Sequence, residues 1–264
     1  MKHKYRTVFI SDLHLGMRGA QARAVAGFLK RIECEKLYLV GDIIDMQWLK
    51  RRWYWPEDHN DVVRRILAMA RRGTEVIFVP GNHDRAARDY AFLEFGGVRI
   101  QPHDIHETLA GQRLLVVHGD ELGLLVKHSR WLGRAGGMAY LWLIRLNHAF
   151  NGIRRRVGLR YWSLSRYLKL KIKRACTMIS HFEQTLIREA QRQGLDGVVC
   201  GHIHQPAALV QDQTYYYNCG DWLENCTAVV EHTCGRMEMI DGLRVEKADR
   251  AHRVVLREQV QTPG

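Results

Sequence analysis

Five short polar clusters carry the side chains that divalent ions bind: Asp12-Leu13-His14, Gly41-Asp42, Gly81-Asn82-His83-Asp84, His118-Gly119-Asp120 and Gly201-His202-Ile203-His204. Neutral imidazole suits Mn, Fe and Zn, whereas carboxylate, amide and water suit harder ions. A mixed set of this size exceeds what one ion requires. It points to two divalent ions, expected to be Mn, with a shared carboxylate holding them about 3.5 to 4 Å apart. Each member alone says little, since a lone His at a strand end is ordinarily a hydrogen-bonded structural residue and Asp after Gly an ordinary turn former. Five clusters in order, each directly after an apolar run, are not explained that way.

Those runs are the elements that must position the clusters. Thr7–Ile10, Leu37–Val40, Val76–Val79, Leu114–Val117 and Val198–Cys200 are short, aliphatic and β-branched, as buried strands are. Between them Ala22, Val25, Ala26, Leu29 and Ile32 recur on one helical face. A second helix is expected from Asn60 as N-cap, with Val63, Ile66, Leu67 and Ala70 inward and Gly73 beyond its end. A third carries Ile179, Phe182, Leu186 and Ala190 and stops at Gly194, and Tyr215–Tyr217 and Thr227–Val230 read as later strands. The alternation predicts an α/β sandwich whose sheet is covered by helices. In open α/β sheets functional groups gather at the carboxyl ends of strands, which would bring Asp12, His14, Asp42, Asn82, His83, Asp84, His118, His202 and His204 to one rim.

The clusters match the signature of the calcineurin-like metallophosphoesterases, and the chain resembles that family from about Val8 to Trp222. The resemblance implies an α/β/β/α sandwich with a dinuclear centre. One ion would take Asp12, His14, Asp42 and His204, the other Asp42, Asn82, His118 and His202, with Asp42 as the bridge. Such a pair lowers the pKa of a bound water from 15.7 towards about 7 and offsets charge on phosphoryl oxygens. His83 is the candidate to stabilise the transition state or protonate the departing oxygen, with Asp84 orienting its imidazole; the bland alternative is a structural His beside a ligand. Within the family the chain looks most like the UDP-2,3-diacylglucosamine diphosphatases of lipid A biosynthesis, through its Ser11–Gly16 opening, its length and a basic insertion after His118. One departure is His83, where those enzymes carry Arg and general phosphoesterases His.

The 264 residues, 46% hydrophobic and 26% charged, suit one globular domain over 1–264 with an inserted helical lid over 125–176. No apolar run reaches the roughly 18 to 20 residues of a membrane span, and none near the N-terminus has signal-peptide length. The chain is therefore expected in the cytoplasm, peripheral at the inner face of the cell membrane. Its six cysteines show no CxxC spacing and are expected to be reduced.

The net charge of +12 has one source: residues 122–182 hold 13 Lys and Arg and no acid. Trp131, Tyr140, Trp142, Phe150, Tyr161, Trp162 and Tyr167 lie in the same segment. Three readings stand open: a solvated basic surface, a groove for single-stranded nucleic acid, or a site for an amphiphilic nucleotide-lipid at an anionic membrane. The resemblance favours the third, with Lys169, Lys173 and Arg174 as candidates to meet the pyrophosphate. Two other classes remain: a metal-dependent nuclease or general phosphodiesterase acting on nucleic acid or nucleotides, and a non-catalytic scaffold, which the filled ligand set disfavours.

Overall fold

Strand β1 (His3–Ile10) buries both faces at its carboxyl end, Val8 and Ile10 in one apolar cluster and Phe9 in another. Strand β2 (Ile32–Val40) divides Leu37 and Leu39 from Tyr38 and Val40 in the same way. Strand β3 (Glu75–Val79) sends Val76 to the first cluster and Ile77 and Val79 to the second. Cover on both faces is why these segments read as unbroken apolar runs. The computed structural model describes residues 2–121, 164–244 and 257–258, with 164–175 and 257–258 described as backbone only.

Two mixed sheets make the α/β sandwich. The remaining strands are β4 (Glu94–Phe95), β5 (Val98–Ile100), β6 (Asp104–Glu107), β7 (Arg113–Val116), β8 (Gly197–Cys200), β9 (Ala207–Gln211), β10 (Thr214–Asn218), β11 (Thr227–Glu231), β12 (Met237–Asp241) and β13 (Arg257–Glu258). The first sheet runs β12-β11-β1-β2-β3-β5-β4 and the second β13-β9-β10-β8-β7-β6. β1, β2 and β3 are parallel neighbours, and so are β7, β8 and β10. Val8 faces Leu37, and Leu37 faces Val76, so the three strands of the first sheet end together. Leu114, Val116, Val199 and Tyr217 of the second sheet share the cluster of Phe9, Tyr38 and Ile77, which is the core between the sheets. Buried Glu231 joins them, accepting hydrogen bonds from Arg6 and Thr7 of β1, from His106 of β6 and from the Leu109 N–H.

The helices α1 (Ala22–Arg31) and α3 (Glu57–Arg71) pack against each other and share the other cluster with Val8, Ile10, Leu37 and Leu39. In α1 the buried face is Ala22, Val25, Ala26, Phe28 and Leu29, while Ile32 opens β2 instead of closing the helix. α3 starts earlier than Asn60: Pro56 holds the cap position in an extended conformation, and Glu57 and Asp58 fill the first turn, where carboxylates complement the helix dipole. Asn60 lies inside the helix, its side-chain oxygen accepting from the Trp55 indole at 2.8 Å. The inward face is Val62, Ile66 and Met69, and Leu67 is 36% exposed. Gly73 closes the helix with φ +95°, as expected.

A short helix α2 (Met46–Arg51) follows β2, and α4 (Leu164–Arg192) precedes β8. The chain divides into two compact units, Met1–Leu122 with Thr185–Gly264, and Gly123–Gln184. The segment expected to form a lid falls within the second unit; residues 125–163 lie outside the described residues. Lys169, Lys173 and Arg174 are on α4 in its backbone-only part. Among the described residues no helix is long and apolar enough to cross a membrane. All six cysteines are free, with Cys200, Cys219 and Cys226 buried.

Candidate metal centre

The loops leaving β1, β2, β3, β7 and β8 carry the predicted ligands, and their backbones are forced into an unusual shape. Asp12, His14, Asp42, His202 and His204 all have left-handed φ, between +48° and +72°. Such conformations cost a non-glycine residue on the order of 1 kcal/mol or more each, and cluster at functional sites. Cross-loop hydrogen bonds impose them: Asp12 N–H to Gly41 O at 3.0 Å, His14 N–H to Asp42 O at 2.9 Å, Trp222 N–H to Asp12 O at 3.1 Å. Gly41, Gly81 and Gly201 are needed for close approach: a Cβ would strike the His118 ring at Gly41, Asp42 at Gly81, and Ser11 and Asp12 at Gly201.

Five of the ligand candidates, Asp12, His14, Asp42, His118 and His204, are held through one atom with another facing the centre. Asp12 Oδ2 accepts from the Ser11 hydroxyl at 2.5 Å and the His202 N–H at 3.0 Å, and Asp42 Oδ1 accepts from the His83 N–H at 2.7 Å. His118 Nδ1 lies 3.0 Å from Val40 O, His14 Nδ1 3.1 Å from Asp45 Oδ2, and His204 Nδ1 3.6 Å from Asp221 Oδ2. The free atoms then converge. His204 Nε2 is 3.1 Å and His14 Nε2 3.6 Å from Asp12 Oδ1, while His118 Nε2 is 3.5 Å and His14 Nε2 3.8 Å from Asp42 Oδ2. His202 packs edge-on against His118 with ring centres 5.2 Å apart.

Three groups have the compactness of ion sites among the described residues: Asp12 with His14 and His204, Asp12 with Asp42 and His118, and His14 with Asp45 and His83. Asn82 Oδ1 is buried without a hydrogen-bond partner among the described residues, and Asp12 Oδ1 and His118 Nε2 face only other ligand candidates, a costly state for polar atoms that a cation relieves. The donor chemistry therefore fits divalent ions. The electrostatics agree. Burial by itself lowers an imidazole pKa, yet Asp42 and Asp12 hold His118 up at about 10, and Asp12 and Asp45 hold His14 up at about 9. His202, buried and facing the His118 charge, is pushed down to about 4.

Asp84, expected to orient His83, serves the backbone instead. It is fully buried and accepts from the N–H groups of Gly81, Asp42, Ile43 and Ile44, fastening the Asp42 loop to the Asn82 loop. Burial and the neighbouring Asp42 charge raise its pKa to about 6. The carboxylate at His83 is Asp45, whose Oδ2 lies 2.9 Å from His83 Nδ1, with His83 Nε2 4.0 Å from Asp42 Oδ2. Asp45 thus touches His14 and His83 together, and its Oδ1 caps α2 at the Trp48 N–H. Burial opposes its ionisation, but the hydrogen bonds from His14 and His83 hold its pKa well below the carboxylate range. Sequence reasoning missed Asp45 and Asp221; the available signal was a second Asp three residues after Asp42, and an Asp inside the Asn218–Trp222 segment.

The model of the calcineurin-like phosphoesterase family matches residues 5–206. The chain belongs to that family. It is accordingly a metal-dependent phosphoester hydrolase. Among curated relatives, a UDP-2,3-diacylglucosamine hydrolase of Edwardsiella ictaluri is 27% identical, covering 89% of this chain and 88% of the relative. A UDP-2,3-diacylglucosamine hydrolase of Vibrio cholerae is 26% identical over 85% of this chain and 93% of its own length. A solved phosphoesterase from E. coli is 16% identical, with 89% of this chain and 98% of that one covered at a TM-score of 0.40.

Proposed function

We propose that this phosphoesterase hydrolyses the pyrophosphate of UDP-2,3-diacylglucosamine or a closely related nucleotide-lipid at two divalent ions. The observation that carries the substrate is the pair of relatives of that name, similar across most of both chains. Asp12, His14, Asp42 and His204 would hold one ion, and Asp42, Asn82, His118 and His202 the other, with Asp42 Oδ2 offered to both. When bound, the ions supply Lewis acidity toward the phosphoryl oxygens and a water acidic enough to attack at neutral pH. Asp45 fixes the His83 ring by its Nδ1, so that Nε2 faces the site and can hand a proton to the departing oxygen. Asp84 keeps the two loops that carry Asp42 and Asn82 in register.

The acid-free segment 122–182 supports a basic, aromatic lid that meets the amphiphile and an anionic bilayer surface, with Lys169, Lys173 and Arg174 toward the pyrophosphate. The site of action would then be the inner face of the cell membrane. The test is the purified chain loaded with Mn and assayed in detergent on UDP-2,3-diacylglucosamine, beside bis-p-nitrophenyl phosphate and single-stranded DNA. Release of UMP with detergent-dependent turnover is the expected result. Cleavage of DNA or the chromogenic diester without release of UMP overturns the substrate and leaves a nuclease or general phosphodiesterase.

A further inference from the structure

A cleft of about 470 Å³ opens beside the centre, between α2 and the 3-10 turn Arg85–Tyr90. Its size lies within the roughly 300 to 1,000 Å³ of small-molecule sites. Asn82 and His83 form part of its wall, so the cleft and the predicted ion site share residues. The chemistry of the lining is what distinguishes it. Besides Asn82 and His83 it offers Gln47, Lys50, Arg85, Arg88, Asp89 and Glu121, and among its lining residues only Met46 and Ala86 are apolar. A lining of that kind leaves polar groups unpaired against an acyl chain and rewards a charged, hydroxylated ligand.

The cations there are not equivalent. Arg88 is consumed: it donates to Pro80 O at 3.0 Å and pairs with Asp120 at 2.6 Å and Glu121 at 2.7 Å. Lys50, on α2, and Arg85, on the opposite wall, are exposed and make no ion pair with any described residue. Against them stand Asp89 and the surplus acid of the Arg88 pair with Asp120 and Glu121, so the cleft is balanced in charge and Lys50 and Arg85 are its two cations outside an ion pair among the described residues. The Gln47 amide, at 2.7 Å from Asn82 O, ties α2 to the loop that carries the predicted ligand Asn82.

We infer that this cleft binds the nucleoside-phosphate half of a pyrophosphate-linked substrate, with Lys50 and Arg85 contacting the phosphoryl group that is not attacked. The inference rests on the function proposed above and assigns one half of that substrate to a place. The acyl chains, having nothing to gain from this lining, leave in another direction.

The experiment compares Lys50→Ala, Arg85→Ala and the double variant with the parent enzyme, all with Mn, on UDP-2,3-diacylglucosamine and on bis-p-nitrophenyl phosphate, which has a single phosphoryl group. The ratio of kcat/KM for the two substrates should fall roughly tenfold to a hundredfold per variant, the size of one hydrogen bond to a charged group. The loss should appear in KM, and Lys50→Arg should restore most of it. Inhibition of diester hydrolysis by UMP should weaken in parallel. A parent enzyme inactive on the nucleotide-lipid defeats the proposed function; the cleft is then judged by UMP inhibition alone. Equal losses on both substrates, or UMP inhibition indifferent to both substitutions, overturn the cleft assignment.

Discussion

Glu231→Gln removes a buried carboxylate that binds the two sheets together, and its cost can be worked from the contacts. The side chain is 0% exposed. Arg6 Nη1 reaches its oxygens at 2.8 and 2.7 Å, Thr7 Oγ1 at 3.1 Å, His106 Nε2 at 2.8 Å and Leu109 N–H at 2.7 Å. Burial alone would raise its pKa, but the donors His106, Leu109 and Arg6 bring it from 4.5 down to about 2. That difference corresponds to about 3 kcal/mol favouring the folded state. Because the folded-state pKa is depressed, the contribution is complete above about pH 4.5 and fades as the pH falls toward 2. Gln keeps the shape and supplies a neutral acceptor, so it imitates the protonated acid. Urea denaturation of the chelator-treated protein at pH 7 should show about 3 kcal/mol lost, with a Tm lower by roughly 6 to 12 °C. The gap between parent and variant should stay level from pH 7 to 5 and narrow below 4.5. A loss under about 1 kcal/mol at pH 7, or a gap that does not narrow, would refute the reasoning that the ionised carboxylate joins the sheets.

Asp42→Ala should remove most bound metal and abolish turnover, since its Oδ2 faces both His14 and His118; elemental analysis with an unchanged ion count would sink the bridge. His83→Ala should keep both ions and lower kcat by two to four powers of ten, and metal loss in proportion to rate would make His83 structural. Asp45→Asn should cost about 10- to 100-fold in metal affinity or activity, because Oδ2 faces both His14 and His83 while Oδ1 accepts from the Trp48 N–H, and an uncharged amide puts an NH2 donor at one of those two positions; metal titration and kcat both unchanged would refute that. Replacing Val126–Cys176 with a Gly-Ser linker should depress nucleotide-lipid hydrolysis by orders of magnitude more than hydrolysis of the chromogenic diester, and equal losses with fold and metal intact would mean that the segment serves the core.

The order of the centre was legible because it is local. Each predicted ligand follows an apolar strand within a few residues, and β1, β2 and β3 end together whenever parallel strands pair in register. Composition likewise isolates the acid-free segment without reference to any fold. Helix faces were read to within a residue, but the start of α3 was not, because Pro56 and two acids compete with Asn60 for the same role and packing against Trp55 decides between them. What only the tertiary structure decided is which atom of each ligand is spent and which is left. Asp12, Asp42, His14 and His118 look alike as donors in sequence; their orientation comes from partners brought close by folding, such as Val40 O at His118 and Asp45 at His14. For the same reason Asp84, adjacent to His83 in the chain, turns inward to four backbone N–H groups, while Asp45 on another loop reaches the imidazole. A hydrogen bond depends on direction and distance in space, and neighbours in sequence carry no information about either.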